Sequence, residues 1–391
     1  MKKYITLLFF VFLSLIGSAQ INLVQNPQFE IYDTCPNNFD EVTYCQGWTS
    51  LDSSWRAPDW GHDLDGVPEY VNTCSAGAGG SYTYGCTAYQ NPRNGNAMMQ
   101  LMMFNTLPLS ASDYQRDYLQ GHLVKTLSVG HKYNVFFYSL RTFMSGQAVN
   151  QIGAYFDNGT IDTTHHPSYL QNQFMPQVTA TSIISDSANW TKVEGTFIAN
   201  GTERLITIGQ YSDSAHTSNY PVTSIICSGS VLGLYFIDDV SVIDCDNIPH
   251  AGNDTVIHPG DSAFLGPHEN LLPYTWYKLG SSTAIDSGGG IWVKPTVTTT
   301  YVVKQVLCGR TSFDTVKVWV WPDTPTLVGS QQLAVGSVRV YPNPAFSEVK
   351  IDGAKGCDVI IFDVLGRPIL KSECGERQVT QPSPRLRRVR D

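Results

Sequence analysis

Asp59, Asp63, Asp65 and Glu69 crowd into one short stretch beside Trp55 and Trp60. Two carboxylates flanking a sugar ring are what glycoside hydrolysis demands, so a catalytic centre, if the chain had one, would sit here. The same density of Asp, Gly and Pro also builds turns, and nothing in the spacing forces a hydrolytic geometry. The surrounding sequence is rich in rings: Trp48, Trp55, Trp60, Tyr70, Tyr82, Tyr84 and Tyr89 all precede the regular strands. Flat rings stack on the C–H faces of sugars, while neighbouring Asn, Asp and Gln bond the hydroxyls. Trp55, Trp60, Tyr82 and Tyr84 are therefore the expected ligand-binding residues; the alternative is that the rings pack a loop-heavy segment against the body. No Gly-x-Ser-x-Gly elbow, His-Glu-x-x-His pair or phosphate-cradling glycine loop occurs. His165-His166 is a paired histidine, but adjacent residues of a strand face opposite ways, so a shared metal would need a loop. No catalytic residue is assigned, and the chain reads as non-enzymatic.

The elements that must position these residues belong to an exported chain. Lys2 and Lys3 precede an apolar run from Tyr4 to Ile16, and Gly17-Ser-Ala-Gln20 offers small residues for cleavage. That is the pattern of a secretory signal peptide, placed at 1–19. No later stretch approaches the roughly 20 apolar residues of a spanning helix. The 391 residues carry 25 Lys and Arg against 34 Asp and Glu, for a net charge of −9, and loss of Lys2 and Lys3 leaves the exported chain more acidic still. Nucleic acid and anionic membranes are disfavoured as partners, because both are bound through clustered positive charge. The 9 cysteines are read first as disulfides. Cys35, Cys45, Cys74 and Cys86 share one loop-rich region and can pair in three ways, and the odd total leaves at least one thiol without an intrachain partner.

Strand signals recur at Tyr133 to Leu140, Ile152 to Phe156, Trp190 to Ala199, Arg204 to Gly209 and Leu234 to Ile243. Each is rich in β-branched and aromatic residues and bounded by Gly, Asn, Asp or Ser. Helical periodicity is nearly absent, with Ala111 to Leu119 the best candidate for a short helical turn. The fold class is therefore all-β, with residues 21–245 forming an antiparallel sandwich.

That first unit resembles the galactose-binding-like jelly rolls of carbohydrate-binding modules. The resemblance is carried by Asn22-Leu-Val-Gln-Asn-Pro-Gln-Phe-Glu30, Asn94-Gly-Asn-Ala-Met-Met-Gln-Leu101, the 118–138 segment and, most specifically, Tyr235-Phe-Ile-Asp-Asp-Val-Ser-Val242. It implies a structural Ca²⁺ where first and last strands meet, with oxygen ligands from Glu30 and from Asp238 or Asp239. On strict alternation Asp238 shares the face of Phe236, Val240 and Val242 and Asp239 points the other way. Residues 250–322, with Tyr274-Thr-Trp-Tyr277, Pro295 to Val303 and Asp314 to Val320, resemble a bacterial Ig-like β-sandwich; His258 stands where that family usually has cysteine, so Cys308 is left to find Cys245 or nothing. After a Pro/Gly/Gln-rich linker, 323–336, Val338-Arg-Val-Tyr-Pro-Asn-Pro-Ala-Phe-Ser-Glu-Val-Lys-Ile-Asp352 and Val359 to Leu370 resemble the small β sorting domain (type A) read by the type IX secretion system. That domain is placed at 337–375. The chain departs from its pattern in an arginine-rich, proline-containing tail, 376–391, predicted to be disordered.

Five Asp-Ser/Thr-apolar triplets, at Asp186, Asp213, Asp254, Asp261 and Asp314, match an O-glycosylation acceptor pattern of bacteria with this secretion route, and equally match turn-to-strand junctions. Together the residues and resemblances imply a secreted or cell-surface binding protein. Its first unit would recognise carbohydrate or a surface protein, and the type IX machinery would carry it outward. The rival readings are a glycan-active hydrolase working through the 59–69 carboxylates, and a purely structural adhesin component.

Overall fold

The computed structural model describes residues 21–37, 41–51, 67–75, 90–105, 116–143, 145–161, 170, 172–213, 215–222 and 232–321. It also gives the backbone of strands Gly80–Thr83, Cys86–Tyr89, Arg339–Tyr341, Lys350–Asp352, Asp358–Phe362 and Pro368–Glu373. The signal peptide, His165-His166, the 323–336 linker and the 376–391 tail lie outside the described residues.

Alternating β-branched and aromatic residues extend into strands because one face of each can be buried in a common core. Two five-stranded antiparallel sheets result. One runs, in spatial order, Trp48–Ser50, Leu119–His122, Leu205–Gln210, Ile152–Asp157 and Val178–Thr179; the other runs Thr191–Ile198, Lys132–Arg141, Leu232–Asp244, Ala97–Asn105 and Glu69–Asn72. Their facing sides supply one core, with Leu119, Ile206, Ile208 and Phe156 opposed to Met99, Leu101, Val135, Phe137, Tyr235 and Ile237. The architecture is a jelly-roll β-sandwich. The expected strands appear within two residues of their expected ends.

Among the described residues the one helical element is a 3-10 turn, Val42–Tyr44. The short helix expected across 111–119 does not extend over its described part: Leu119 already begins a strand, because its side chain is needed in the core.

The outward face of the first sheet is covered. Leu51, Tyr118, Ile161, Leu170 and Tyr211 form a second buried cluster there, with Tyr155 and Phe174 against it. Tyr118 meets Tyr211 edge-on at 5.3 Å. Buried Gln120 donates through Nε2 to the Ile161 carbonyl and to Thr207 Oγ1, both at 3.1 Å, which ties the covering segment down.

A further sandwich follows. Thr255–Ile257, Arg310–Val320, Thr299–Leu307, Tyr274–Lys278 and Ala284–Ser287 form one sheet, with the first pair parallel; Ala263–Leu265 and Ile291–Val293 form the facing ribbon. Trp276 is fully buried at its centre, its indole N–H donating to the Gly289 carbonyl at 2.8 Å. The C-terminal strands pair as two hairpins, Arg339–Tyr341 with Lys350–Asp352 and Asp358–Phe362 with Pro368–Glu373.

Disulfides join Cys35 to Cys74 and Cys245 to Cys308, while Cys45 is a free, buried thiol. None of the three full pairings of Cys35, Cys45, Cys74 and Cys86 is therefore realised. Cys45 instead faces the core, where the Asn26 side-chain amide donates to its sulfur at 3.2 Å.

Candidate functional site

The expected ligand-binding rings cannot be placed individually: Trp55, Trp60 and Tyr84 lie outside the described residues, and Tyr82 is described only as backbone in a short strand. Asp59, Asp63 and Asp65 also lie outside, while Glu69 begins an edge strand opposite Gln100. What the structure does place is the root of the ring-bearing segment. Trp48–Ser50 is the edge strand of one sheet and Glu69–Asn72 the edge strand of the other, and the Val42–Tyr44 turn packs against both. Residues 52–66 therefore connect the two sheets at one margin of the sandwich. The Cys35–Cys74 disulfide fastens the turn that follows Glu69–Asn72, and further along the chain Gly80–Thr83 pairs with Cys86–Tyr89 as a hairpin.

The aspartate pair of the closing strand is fully defined. Asp238 and Asp239 are both inaccessible to solvent. Their strand does not alternate strictly. Asp238 lies opposite Tyr138 and Ser241 opposite Phe136, so two residues, Asp239 and Val240, face one on the neighbour. This β-bulge, with Asp239 at φ +53°, shifts the phase of the strand. Tyr235 and Ile237 before it, and Val240 and Val242 after it, all point into the core, whereas Phe236 packs on the other face with Met98 and Leu140. The expectation that Asp238 shares a face with Val240 and Val242 is thus corrected: the bulge frees both carboxylates to reach one turn, 93–97.

Every hydrogen bond seen at these carboxylates among the described residues is an N–H donation. The Arg93 and Asn94 amides donate to Asp238 Oδ2 at 2.8 and 3.3 Å, and the Asp239 amide donates to Asp238 Oδ1 at 2.7 Å. Asp239 Oδ1 accepts from Gln28 Nε2 at 2.8 Å, and its Oδ2 accepts from Arg93 Nη1 and Asn94 Nδ2. Glu30 takes the far end of the turn, accepting from the Asn96 and Ala97 amides at 2.6 and 3.0 Å. Gly95, at φ +65°, permits this: a Cβ there would lie 2.1 Å from Glu30 Oε1. Burial, and then the neighbouring Asp239 charge, push the Asp238 carboxyl up to about 8, against the pull of the three amides.

These residues do not fit a shared calcium ion. Calcium needs roughly six to eight oxygens turned toward one point. Here the carboxylate oxygens of the aspartates face nitrogen donors, and a guanidinium stands directly on Asp239. Among the described residues the one set of three such ligand atoms mutually within 4.8 Å is His131, Asp244 and Asp246; Glu30 forms no such set with the aspartates. The structure brings Glu30, Asp238 and Asp239 to the same turn, but from different sides. Sequence reading missed Arg93. The signal available was its place beside an Asn-Gly turn, which lets its backbone and side chain serve two acceptors at once.

Of the Asp-Ser/Thr triplets, Asp186 and Asp213 accept backbone N–H groups from two and three residues on, as Asx-type turns do, Asp261 accepts from His258 three residues before it, and Asp314 lies within the Arg310–Val320 strand. The described residues also expose aromatic rings on the second sandwich, Trp292 and Phe313 most of all. Trp292 is 69% exposed and meets Phe264 edge-on at 5.3 Å, while Phe264 stacks on His268 at 4.1 Å.

The fold defines an all-β protein built on a jelly-roll sandwich. Neither a protein-family model nor a curated protein matches the chain. Among solved structures it is similar to the CBM22-1–GH10 modules of Clostridium thermocellum endo-1,4-beta-D-xylanase 10B complexed with xylohexaose, at 13% identity and TM-score 0.25, over 59% of this chain and 33% of that one. It is also similar to the CBM22-1 xylan-binding domain of Paenibacillus barcinonensis Xyn10C, at 13% identity and TM-score 0.27, over 56% of this chain and 90% of that domain. A third is the K1 cleaved adhesin domain of Lys-gingipain from Porphyromonas gingivalis W83, at 12% identity and TM-score 0.28, over 56% of this chain and 95% of that domain. The chain spans a third of the first of these proteins.

Proposed function

We propose that this chain is an exported, non-enzymatic binding protein whose jelly-roll unit recognises carbohydrate or a glycan-bearing surface partner. The observation that carries the reading is the root of the ring-rich segment. The segment that carries Trp55 and Trp60 runs between two edge strands, Trp48–Ser50 and Glu69–Asn72, and Cys35–Cys74 fixes the turn after the second, beyond which Tyr82 and Tyr84 follow in the chain. Binding residues are commonly borne on loops rooted in a rigid scaffold, and the two edge strands and the disulfide supply such a root. The outward face of the first sheet is occupied by the chain's own Tyr118, Tyr211 and Leu170, which favours the margin over that face as the binding surface.

The rest of the proposed organisation follows the sequence resemblances. The second sandwich is an Ig-like spacer, and its buried Trp276 core supports that role. Residues 337–375 are a type IX sorting domain, and the two C-terminal hairpins support it. A signal peptide at 1–19 takes the chain across the inner membrane. No helix among the described residues is long and apolar enough to cross a membrane.

Glycan-array binding by the full chain tests the reading. Binding that falls at least about tenfold in W55A or W60A, and is unchanged in W292A, supports recognition at the jelly-roll margin; about 1–3 kcal/mol per stacked ring corresponds to that loss. Loss in W292A alone would move the site to the second sandwich. Hydrolysis of an array glycan that disappears in D63N would replace binding by catalysis. Export is tested separately in a type IX-competent host, where a chain ending at Gly336 is expected to stay in the periplasm while the full chain reaches the surface.

A further inference from the structure

We propose that Arg93 is the resident cation of this sandwich: its guanidinium supplies, from the chain itself, the positive charge that joins opening and closing strands, and the fold is calcium-independent because of it.

Three features of the site point this way. Arg93 Nη1 donates to Asp239 Oδ2, and the Arg93 amide donates to Asp238 Oδ2, so a single residue serves both buried carboxylates. The guanidinium is fixed from the other side by stacking over the Tyr138 ring, 3.6 Å from its centroid, and Tyr138 is the cross-strand neighbour of Asp238. Gln28 from the opening segment then completes Asp239 through Nε2. Opening segment, 93–97 turn and closing strand thus meet at one charge pair. A buried carboxylate needs a cation or strong donors to remain ionised, and arginine supplies charge and fork geometry together.

The same geometry says what the site becomes without Arg93. Asp238 would keep its three backbone amides, while Asp239 would lose its cation and remain flanked by the Asn94 and Gln28 amides, whose oxygen ends can be presented by a half-turn of the amide. That is a set of hard oxygen ligands for a divalent cation. Replacing Arg93 by a neutral residue is therefore expected to create calcium dependence where none existed.

The test is thermal unfolding of the full chain at fixed pH and ionic strength. The wild-type melting temperature is expected to agree within about 1 °C between excess EGTA and excess CaCl₂. R93A is expected to melt roughly 5–10 °C lower in EGTA and to regain at least about half of that in CaCl₂. R93A/D239N is expected to regain nothing, which separates cation binding at this site from general salt effects. A wild-type chain that loses more than about 3 °C in EGTA overturns the proposal, as does an R93A chain indifferent to calcium. If R93A does not fold, calcium titration calorimetry on the wild-type chain still decides. Absence of a saturating heat supports the proposal; a one-ion isotherm that is lost in D239N overturns it.

Discussion

At the scale of single residues, the turn at 93–97 shows how little freedom the site leaves. Gly95 combines a positive φ with a missing Cβ that would collide with the Glu30 carboxylate. G95A is therefore expected to destabilise the jelly roll by about 2–4 kcal/mol in urea unfolding, because strain and a displaced acceptor act together. E30Q should cost less, since its side-chain oxygen still accepts from the Asn96 and Ala97 amides. Cys45 makes a different point. Burial raises its thiol pKa well above the usual range, so the reactive thiolate is suppressed. Peptide mapping after N-ethylmaleimide treatment should find Cys45 unmodified in the native chain and labelled once denaturant is added.

At the scale of elements, the opening segment is held to the closing strand by a side chain acting as backbone. Asn22 Oδ1 accepts from the Val24 and Val242 amides at 3.2 and 3.0 Å, and its Nδ2 donates to the Val240 carbonyl at 3.0 Å. The Val240 amide, within the bulge, donates to the Pro27 carbonyl at 2.9 Å. The bulge interrupts the regular ladder there, and the opening segment satisfies groups that the interruption leaves over. N22A is expected to cost about 2–3 kcal/mol and to raise amide exchange of residues 23–27 before the rest of the sheet. The strands themselves were legible as short runs of β-branched and aromatic residues bounded by Gly, Asn, Asp or Ser. The bulge was legible only in hindsight, in the slip from Tyr235 and Ile237 to Val240 and Val242. Between them, Asp238-Asp239 erased the phase that alternation would have shown.

At the scale of the whole molecule, the two sandwiches are strapped together. Glu269 accepts the Ile21 and Asn22 amides on its two oxygens, both at 2.8 Å. Cys245 at the end of the closing strand is bonded to Cys308 at the turn between Thr299–Leu307 and Arg310–Val320. Gln305 bonds the Asn247 carbonyl at 2.9 Å, and Asp314 accepts from the Ala251 amide at 2.8 Å, so the 245–251 connection is fastened along its length. Limited proteolysis should spare 245–251 in the wild type. The paired C245S/C308S substitution should open it and cost about 2–4 kcal/mol, as expected for a disulfide closing a long loop.

What the sequence by itself determined was the material of the fold: an all-β chain and its strands, while Glu30, Asp238 and Asp239 were singled out only by the resemblance of the segments that hold them. Those properties are written in neighbouring residues, because strand formation and face choice follow a two-residue period. Only the tertiary structure decided which groups those acids would meet. Arg93 and Asp239 are 146 positions apart in the chain, and Cys35 chose Cys74 while Cys45 went into the core. Composition offered several partners for each of these groups; packing of two sheets around one core admitted one.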